Sequence, residues 1–310
     1  MTDVLIVSLG STGGWQTSDP ELAASIQRAG ATAVVATAAP QRDVRTYALT
    51  DLAWARAARA AARRGIADHA PRAIVYSSTT AALLWPQPGA IRFDTLARES
   101  RPGRHGIWQR PLERRRLAQA PLLVPMTPDQ PGVCVRIPVE PSGAAAERDI
   151  AAVAYAADPV KRRLDLLLAA WNAARREGEE LVVTGIDGAG RDGVRFAGRM
   201  EVGDFRALLR RARAFVAAPS REDYGIAPLQ ALADGCVVVT TPSTGPYPAL
   251  GIVRAIDERL VTDDLATGIR IALDDPRADF AARAADALAP FRRDAVDRTV
   301  AGELLPRLLG

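Results

Sequence analysis

Residues 219–246, PSREDYGIAPLQALADGCVVVTTPSTGP, admit few folds. The apolar run 215–218 reads as a strand that ends at Pro219, with Glu222 and Asp223 following at its carboxyl end. Gly225 lets the backbone turn and approach a ligand closely. Pro228 falls in the first turn of a short helix, where its missing N–H costs nothing. Leu229 and Leu232 supply the apolar face of that helix, and Gly235 suits a left-handed stop. The β-branched run 236–241 is then a strand of the parallel-sheet type. Strand, loop, helix, glycine and strand in this order predict a βαβ crossover within a parallel sheet.

A helix N-terminus at the carboxyl end of a parallel strand presents free N–H groups and a positive dipole end, and phosphate binds there readily. The N–H groups of Gly225, Ile226 and Ala227 are the expected donors. Glu222 is placed to accept hydrogen bonds from sugar hydroxyls, and Gln230, farther along the helix, to reach a ribose.

Pro219, Ser220, Glu222, Gly225, Ala231, Ala233, Gly235, Val238 and Val239 together resemble the donor-binding motif of the large retaining GT-B glycosyltransferase group, group 1, in which two glutamates are separated by seven residues. Tyr224 stands for the family's aromatic residue, and Val237 replaces a proline. The first glutamate falls on Glu222. The second, which in the family commonly holds the nucleotide ribose, falls on Gln230, so that hold loses its charge. An ordinary βαβ crossover with a glycine loop is the alternative reading of the same residues.

The 310-residue length suits two domains. The formal net charge of +4 is spread along the chain, which suits an anionic nucleotide-sugar or an anionic membrane surface and lacks the concentrated patch of a nucleic-acid binder. Cys134 and Cys236 each lie in an apolar run and read as small buried hydrophobes. No cluster has zinc-ligand spacing, and the first strand begins at once after Asp3, so no signal peptide is expected. No apolar run approaches the ~18 residues of a membrane span. The expected location is cytoplasmic, with peripheral contact to the inner face of the membrane as an option. Of the 40 Lys plus Arg residues only Lys161 is lysine. In a chain that prefers arginine, one lysine points to a position needing a compact ammonium, with drift as the alternative.

In the first half, residues 4–9 read as a buried strand ending in Gly10-Ser11-Thr12-Gly13-Gly14. This loop lacks G-x-G-x-x-G spacing, which argues against a dehydrogenase. It is either a ligand-facing glycine loop or a plain βα turn. Ser18 and Asp19 look like the cap of a helix over 20–28. Strands are expected at 32–37, 73–78, 90–93, 122–125 and 133–139, and a long helix at 46–64. Residues 98–116 are the most basic stretch. They form an acceptor-binding edge, a membrane-surface contact or a solvated helix face paired with Glu113. His105, in a glycine-flanked basic loop, is a candidate to steer a sugar hydroxyl or an anion.

The break at 140–143 suggests domains of 1–143 and 144–290, with 291–310 a terminal helix packing back on the first. In the second half a strand is expected at 150–155. Asp158 and Pro159 would then cap a helix carrying Lys161 in its first turn and Leu164, Leu167, Leu168 and Trp171 on its inner face. In the resembled family an arginine and a lysine before this helix neutralise the leaving diphosphate. Lys161 fits the lysine, the arginine position holds Ala156, and Arg162 is the expected substitute. Gly185 and Asp187 lie in a turn that resembles the family's turn beside the nucleotide base.

The resemblance implies an α/β chain of the GT-B kind, with two Rossmann-like doubly wound parallel-sheet domains facing across a cleft. It implies a retaining glycosyltransferase with a nucleotide-sugar donor and a hydroxyl acceptor, with Glu222, Lys161 and His105 as catalytic candidates. No metal and no further cofactor are expected. A nucleotide-sugar binder without transfer, an epimerase and, ranked lower, a phosphorylase remain alternatives on the same architecture.

Overall fold

The computed structural model describes residues 2–310 apart from 43 and 45. The chain forms two compact units. One runs to Pro138 and takes back Arg293–Gly310, and the other is Val139–Arg292.

The first unit contains β1 (Val4–Ser8), α1 (Gly13–Arg28), β2 (Ala33–Thr37), α2 (Tyr47–His69), β3 (Ala73–Tyr76), α3 (Thr79–Ala82), β4 (Ala90–Phe93), α4 (Ala97–Ser100), α5 (Gln109–Gln119) and β5 (Leu123–Pro125). Its five strands are all parallel, in the order β2-β1-β3-β4-β5. Residues 4–7 of β1 are fully buried because both faces are covered. Val4 and Ile6 pack with Leu22 and Ile26 of α1, while Leu5 and Val7 pack with Ala58 and Ala62 of α2. A parallel strand between two helix layers is apolar at every position, which is why 4–9 shows no alternation.

The second unit contains β6 (Ile150–Tyr155), α6 (Leu164–Ala174), β7 (Leu181–Thr184), β8 (Val194–Gly198), α7 (Val202–Arg211), β9 (Ala212–Ala217), α8 (Ile226–Ala233), β10 (Val237–Thr240), α9 (Pro248–Ile256), α10 (Leu265–Asp274) and α11 (Phe280–Ala287). Its sheet is parallel, in the order β10-β9-β6-β7-β8. The strand order turns back between β6 and β9. The carboxyl ends of those two strands form a topological switch point, where open α/β sheets bind ligands. Residues 139–142 pack with this unit: Ser142 N donates to Asp234 Oδ1 at 2.8 Å and Arg206 Nη2 to the Glu140 carbonyl at 2.6 Å.

The returning segment forms α12 (Arg293–Thr299), a single π-helical stretch Val300–Leu304, and α13 (Leu305–Leu309). Val296, Val300, Leu304 and Leu305 are buried against Val4, Ile6 and Leu22 in the first unit. Each such side chain contributes about 1.5–3 kcal/mol on burial.

Several local expectations change. The first helix begins at Gly13 with Thr12 as its cap, not after Ser18 and Asp19. Asp19 lies inside the helix, fully buried, and pairs with Arg92 of β4 at 3.0 Å. Residues 133–139 are not a strand; only Val133 N and Val135 N bond to β5 carbonyls, at 3.0 Å each. Asp158 and Pro159 do not start α6. Asp158 Oδ1 accepts from Lys161 N at 2.9 Å within a turn, and the helix starts at Leu164 after Arg163 adopts left-handed geometry, φ 46°. Glu113 does not lie on a solvated face: it is buried and accepts Ala97 N at 2.9 Å.

Candidate active site

Two loops leave the carboxyl ends of β6 and β9 and meet. The β6 loop brings Lys161 and Arg162, and the β9 loop brings Glu222 and Asp223. Lys161 Nζ lies 3.7 Å from Glu222 Oε1 and 3.8 Å from Asp223 Oδ2. The guanidinium of Arg162 is ion-paired with the other oxygen of Glu222, whose side chain is only 5% exposed. Burial pushes the Arg162 pKa down from its usual value, against the pull of Tyr247, Tyr155, Asp158 and Asp223. Its guanidinium also lies 5.7 Å from the centre of the Tyr155 ring. The loops are tied at the backbone, since Ser220 N donates to the Lys161 carbonyl at 2.9 Å.

The β9 loop is also fixed from its other side. Glu222 N donates to the Thr244 carbonyl at 3.0 Å. Tyr247 is buried, donates from its hydroxyl to Thr240 Oγ1 at 3.3 Å, and has its pKa pushed up to about 12 by burial. A side chain at Gly225 would stand 3.0 Å from both the Tyr247 ring and Glu222 Cγ, and Gly225 has φ +77°, so glycine is required on both counts. Gly225 is the residue just before α8. The N–H groups of Gly225, Ile226 and Ala227 have no acceptor among the described residues. Free N–H groups at a helix start are the kind of donors that anions meet. A narrow pocket lined by Tyr155, Arg162, Ala227 and Pro228 lies at the same end of the sheet.

Gln230 is half-buried in the second turn of α8, and its side-chain amide has no partner among the described residues. Gly185, at the carboxyl end of β7, has φ +87° and donates from N to the Gly198 carbonyl at 2.7 Å. A side chain there would stand 2.9 Å from Ala157 N in the β6 loop. Asp187 turns back over Gly198, where its carboxylate would meet any added side chain. Ala156, at the position of the family's arginine, is fully buried. Arg162 reaches into this site through Glu222.

Arg163 escaped the sequence reading. In its left-handed conformation it donates from Nε to the Ala218 carbonyl at 2.8 Å and from Nη2 to the Pro219 carbonyl at 3.3 Å, clamping the end of β9. Nothing in the Lys-Arg-Arg run separates its role from that of Arg162. Tyr247 also went unnoticed. The proline-rich composition of residues 241–248 gives no sign of the ring that supports Gly225.

The remaining candidates belong to the first unit. Gly13 and Gly14 open α1 at the carboxyl end of β1, so they are a helix start and not a free loop. A side chain at Gly13 would meet nothing within 4 Å. His105 is exposed in a short 3-10 turn, Gly103–Gly106, with its ring edge-on to Tyr47 at 5.4 Å. Near the first unit's own switch point, Asp19 is held by Arg92, by Ser18 at 3.4 Å and by Ser77. Burial pushes its carboxyl above the usual range, with Arg92 opposing.

Residues 147–289 match the family model described as Glycosyl transferases group 1. The fold is shared along nearly the whole chain with HepE of Anabaena, solved in complex with UDP and glucose: TM-score 0.68, 13% identity, 98% of this chain and 99% of that one. A sucrose-phosphate synthase of Thermosynechococcus elongatus gives 0.68 at 14% identity, over 99% of each chain. The calicheamicin glycosyltransferase CalG4 gives 0.58 at 15% identity, over 99% and 98%. No curated protein matches by sequence. The fold is therefore GT-B, and the family match lies within its second unit.

Proposed function

We propose that the chain is a glycosyltransferase that moves a sugar from a nucleotide-sugar to a hydroxyl acceptor with retention of configuration and without a divalent metal. One observation carries the reading: at the switch point of the second sheet Lys161 Nζ lies beside Glu222 and Asp223, in the loop that runs into the open amides at Gly225–Ala227. In this reading the donor diphosphate docks on the amides, and Lys161 meets the charge that develops on the leaving phosphate. The bond from the anomeric carbon to the phosphate oxygen breaks as the acceptor oxygen bonds to the same face. The acceptor's proton passes to the departing phosphate oxygen. Glu222 orients donor hydroxyls, and Gln230 holds a ribose through a neutral hydrogen bond. Gly185 and Asp187 border the nucleotide base. On the first unit, Gly13 and Gly14 at the start of α1 are the ligand-facing candidates, and His105 is the candidate to steer a sugar hydroxyl or an anion.

The metal-free reading is supported by the state of the acids. Glu222 is engaged by Arg162 and Lys161, and Asp223 by Lys161 and by Arg221 at 2.7 Å. Preorganised cations then do the work that a Lewis acid does elsewhere. UDP-sugars are the first donors to test, since HepE was solved with UDP and glucose.

Ala156 and Gln230 favour a second reading, a nucleotide-sugar binder without transfer, because both stand where the family carries a charge. A thermal-shift screen against UDP-, GDP-, ADP- and TDP-sugars, followed by nucleotide release with hydroxyl acceptors in EDTA, separates the readings. Acceptor-dependent release in EDTA, with an anomer matching the donor, is the expected result. Binding without release supports the binder, and sugar interconversion without acceptor supports an epimerase. Absence of any nucleotide shift overturns both principal readings.

A further inference from the structure

We propose that the first unit carries a contact surface for an anionic phospholipid bilayer, built from the start of α2 and the turn at 104–107. Among the described residues of that unit, the exposed large hydrophobics are Val44, Tyr47, Leu49 and Ile107, the last 68% exposed. They come from two segments that are distant in sequence and joined in space. Trp108 Nε1 donates to the Ala48 carbonyl at 3.2 Å, and the His105 ring sits edge-on to Tyr47. Arg101 lies 5.4 Å over the same Tyr47 ring. The apolar tips therefore form one patch and are not scattered single residues.

The charge around the patch selects its partner. Residues 98–116 hold seven arginines and two glutamates. Glu113 is buried, and nearby Asp51 is taken by Arg101 and Gln109. Arg104 and Arg42 stay exposed, with no acidic partner among the described residues. Aliphatic tips in the same two segments as Arg42 and Arg104 match the boundary between acyl chains and anionic headgroups. A nucleic acid gives no reward for burying Leu49 and Ile107. A small soluble anion would leave them uncovered. A second copy of this face would bring arginine against arginine.

The test is flotation of the full chain with vesicles of phosphatidylcholine alone and of phosphatidylcholine with phosphatidylglycerol. Binding to the anionic vesicles only, released by salt, is expected. Ile107→Ser and Leu49→Ser should each weaken it about tenfold through lost apolar burial. Arg104→Gln and Arg42→Gln should each weaken it about fivefold. Unchanged melting temperatures would show that the variants fold. Equal binding to both vesicle types, no flotation at low salt, or insensitivity to Ile107→Ser overturns the proposal. A dimer in size-exclusion chromatography that Ile107→Ser dissolves would assign the face to a second copy and overturn it too.

Discussion

Replacing Arg162 by methionine isolates what holds the β9 loop. Methionine keeps most of the buried stem and removes the guanidinium that pairs with Glu222. Glu222 would then carry its charge at 5% side-chain exposure. Removing one partner of a buried pair costs about 3–5 kcal/mol. Lys161 remains 3.7 Å away, but its side chain is 37% exposed and its field is screened by solvent, so it offsets only part of the loss. About 3 kcal/mol is the reasoned value. At about 2–4 °C per kcal/mol, the variant should melt roughly 6–12 °C lower. Arg162→Met combined with Glu222→Gln should recover all but about 1 kcal/mol, because a neutral amide needs no counter-charge. The assay is thermal unfolding by circular dichroism at neutral pH for the wild type, both single variants and the double variant. A melting temperature for Arg162→Met within about 1 °C of wild type would refute the buried-pair argument. So would a double variant no more stable than that single one.

Lys161→Ala should lower turnover about a hundredfold or more, the scale of losing one preorganised charge, and steady-state kinetics against the best donor reads it directly. Gln230→Glu should keep or tighten nucleotide affinity by restoring a charged partner for a ribose; isothermal titration showing a clear loss would remove Gln230 from the site. Burial raises the Glu113 carboxyl above its usual pKa, so its contribution to stability is full below the unfolded value, about 4.3, and is lost as pH rises through the folded one. Glu113→Gln should therefore gain on wild type as pH rises from 4 to 8, and a melting-temperature difference that is flat with pH would contradict this. Cys236 is fully buried with its thiol pushed up to about 12, so it should resist disulfide-exchange reagents at mild pH until the chain is denatured, as a timed thiol titration would show.

Much of the architecture could be read from local signals. The runs that became β1, β6, β9 and β10 are continuously apolar because both faces of a parallel strand are covered. The turn at Gly225, the left-handed Gly235 and the helix between them follow from residue chemistry over a few positions. What failed was set by distant partners. Ser18-Asp19-Pro20 has the composition of a helix cap, yet Asp19 answers to Arg92, 73 residues away, and no local rule reports that. Asp158-Pro159 likewise resembles a cap. The chain instead spends a turn there, which places Lys161 and Arg162 at the switch point before α6 begins. Glu113 looked solvated because its helix is rich in arginine; its true partner is the backbone at Ala97.

The two adjacent cations at the switch point divide their work by chemistry. Arg162 is held on one side by Glu222 and stacked on the other near Tyr155, so a planar fork is fixed in place. Lys161 sits in solvent reach, and its two carboxylate pairs, at 3.7 and 3.8 Å, lie beyond hydrogen-bond length. In the proposed function an incoming diphosphate wins Lys161 from its half-exposed pairs, whereas winning Arg162 would leave Glu222 buried and uncompensated. In the proposed function the open amides at Gly225–Ala227, which carry no such competition, take the anion first and the ammonium swings to it second. A flexible stem with a compact charge can do this, and a guanidinium locked into a fork cannot. That gives a physical reason for the one lysine in a chain that uses arginine everywhere else.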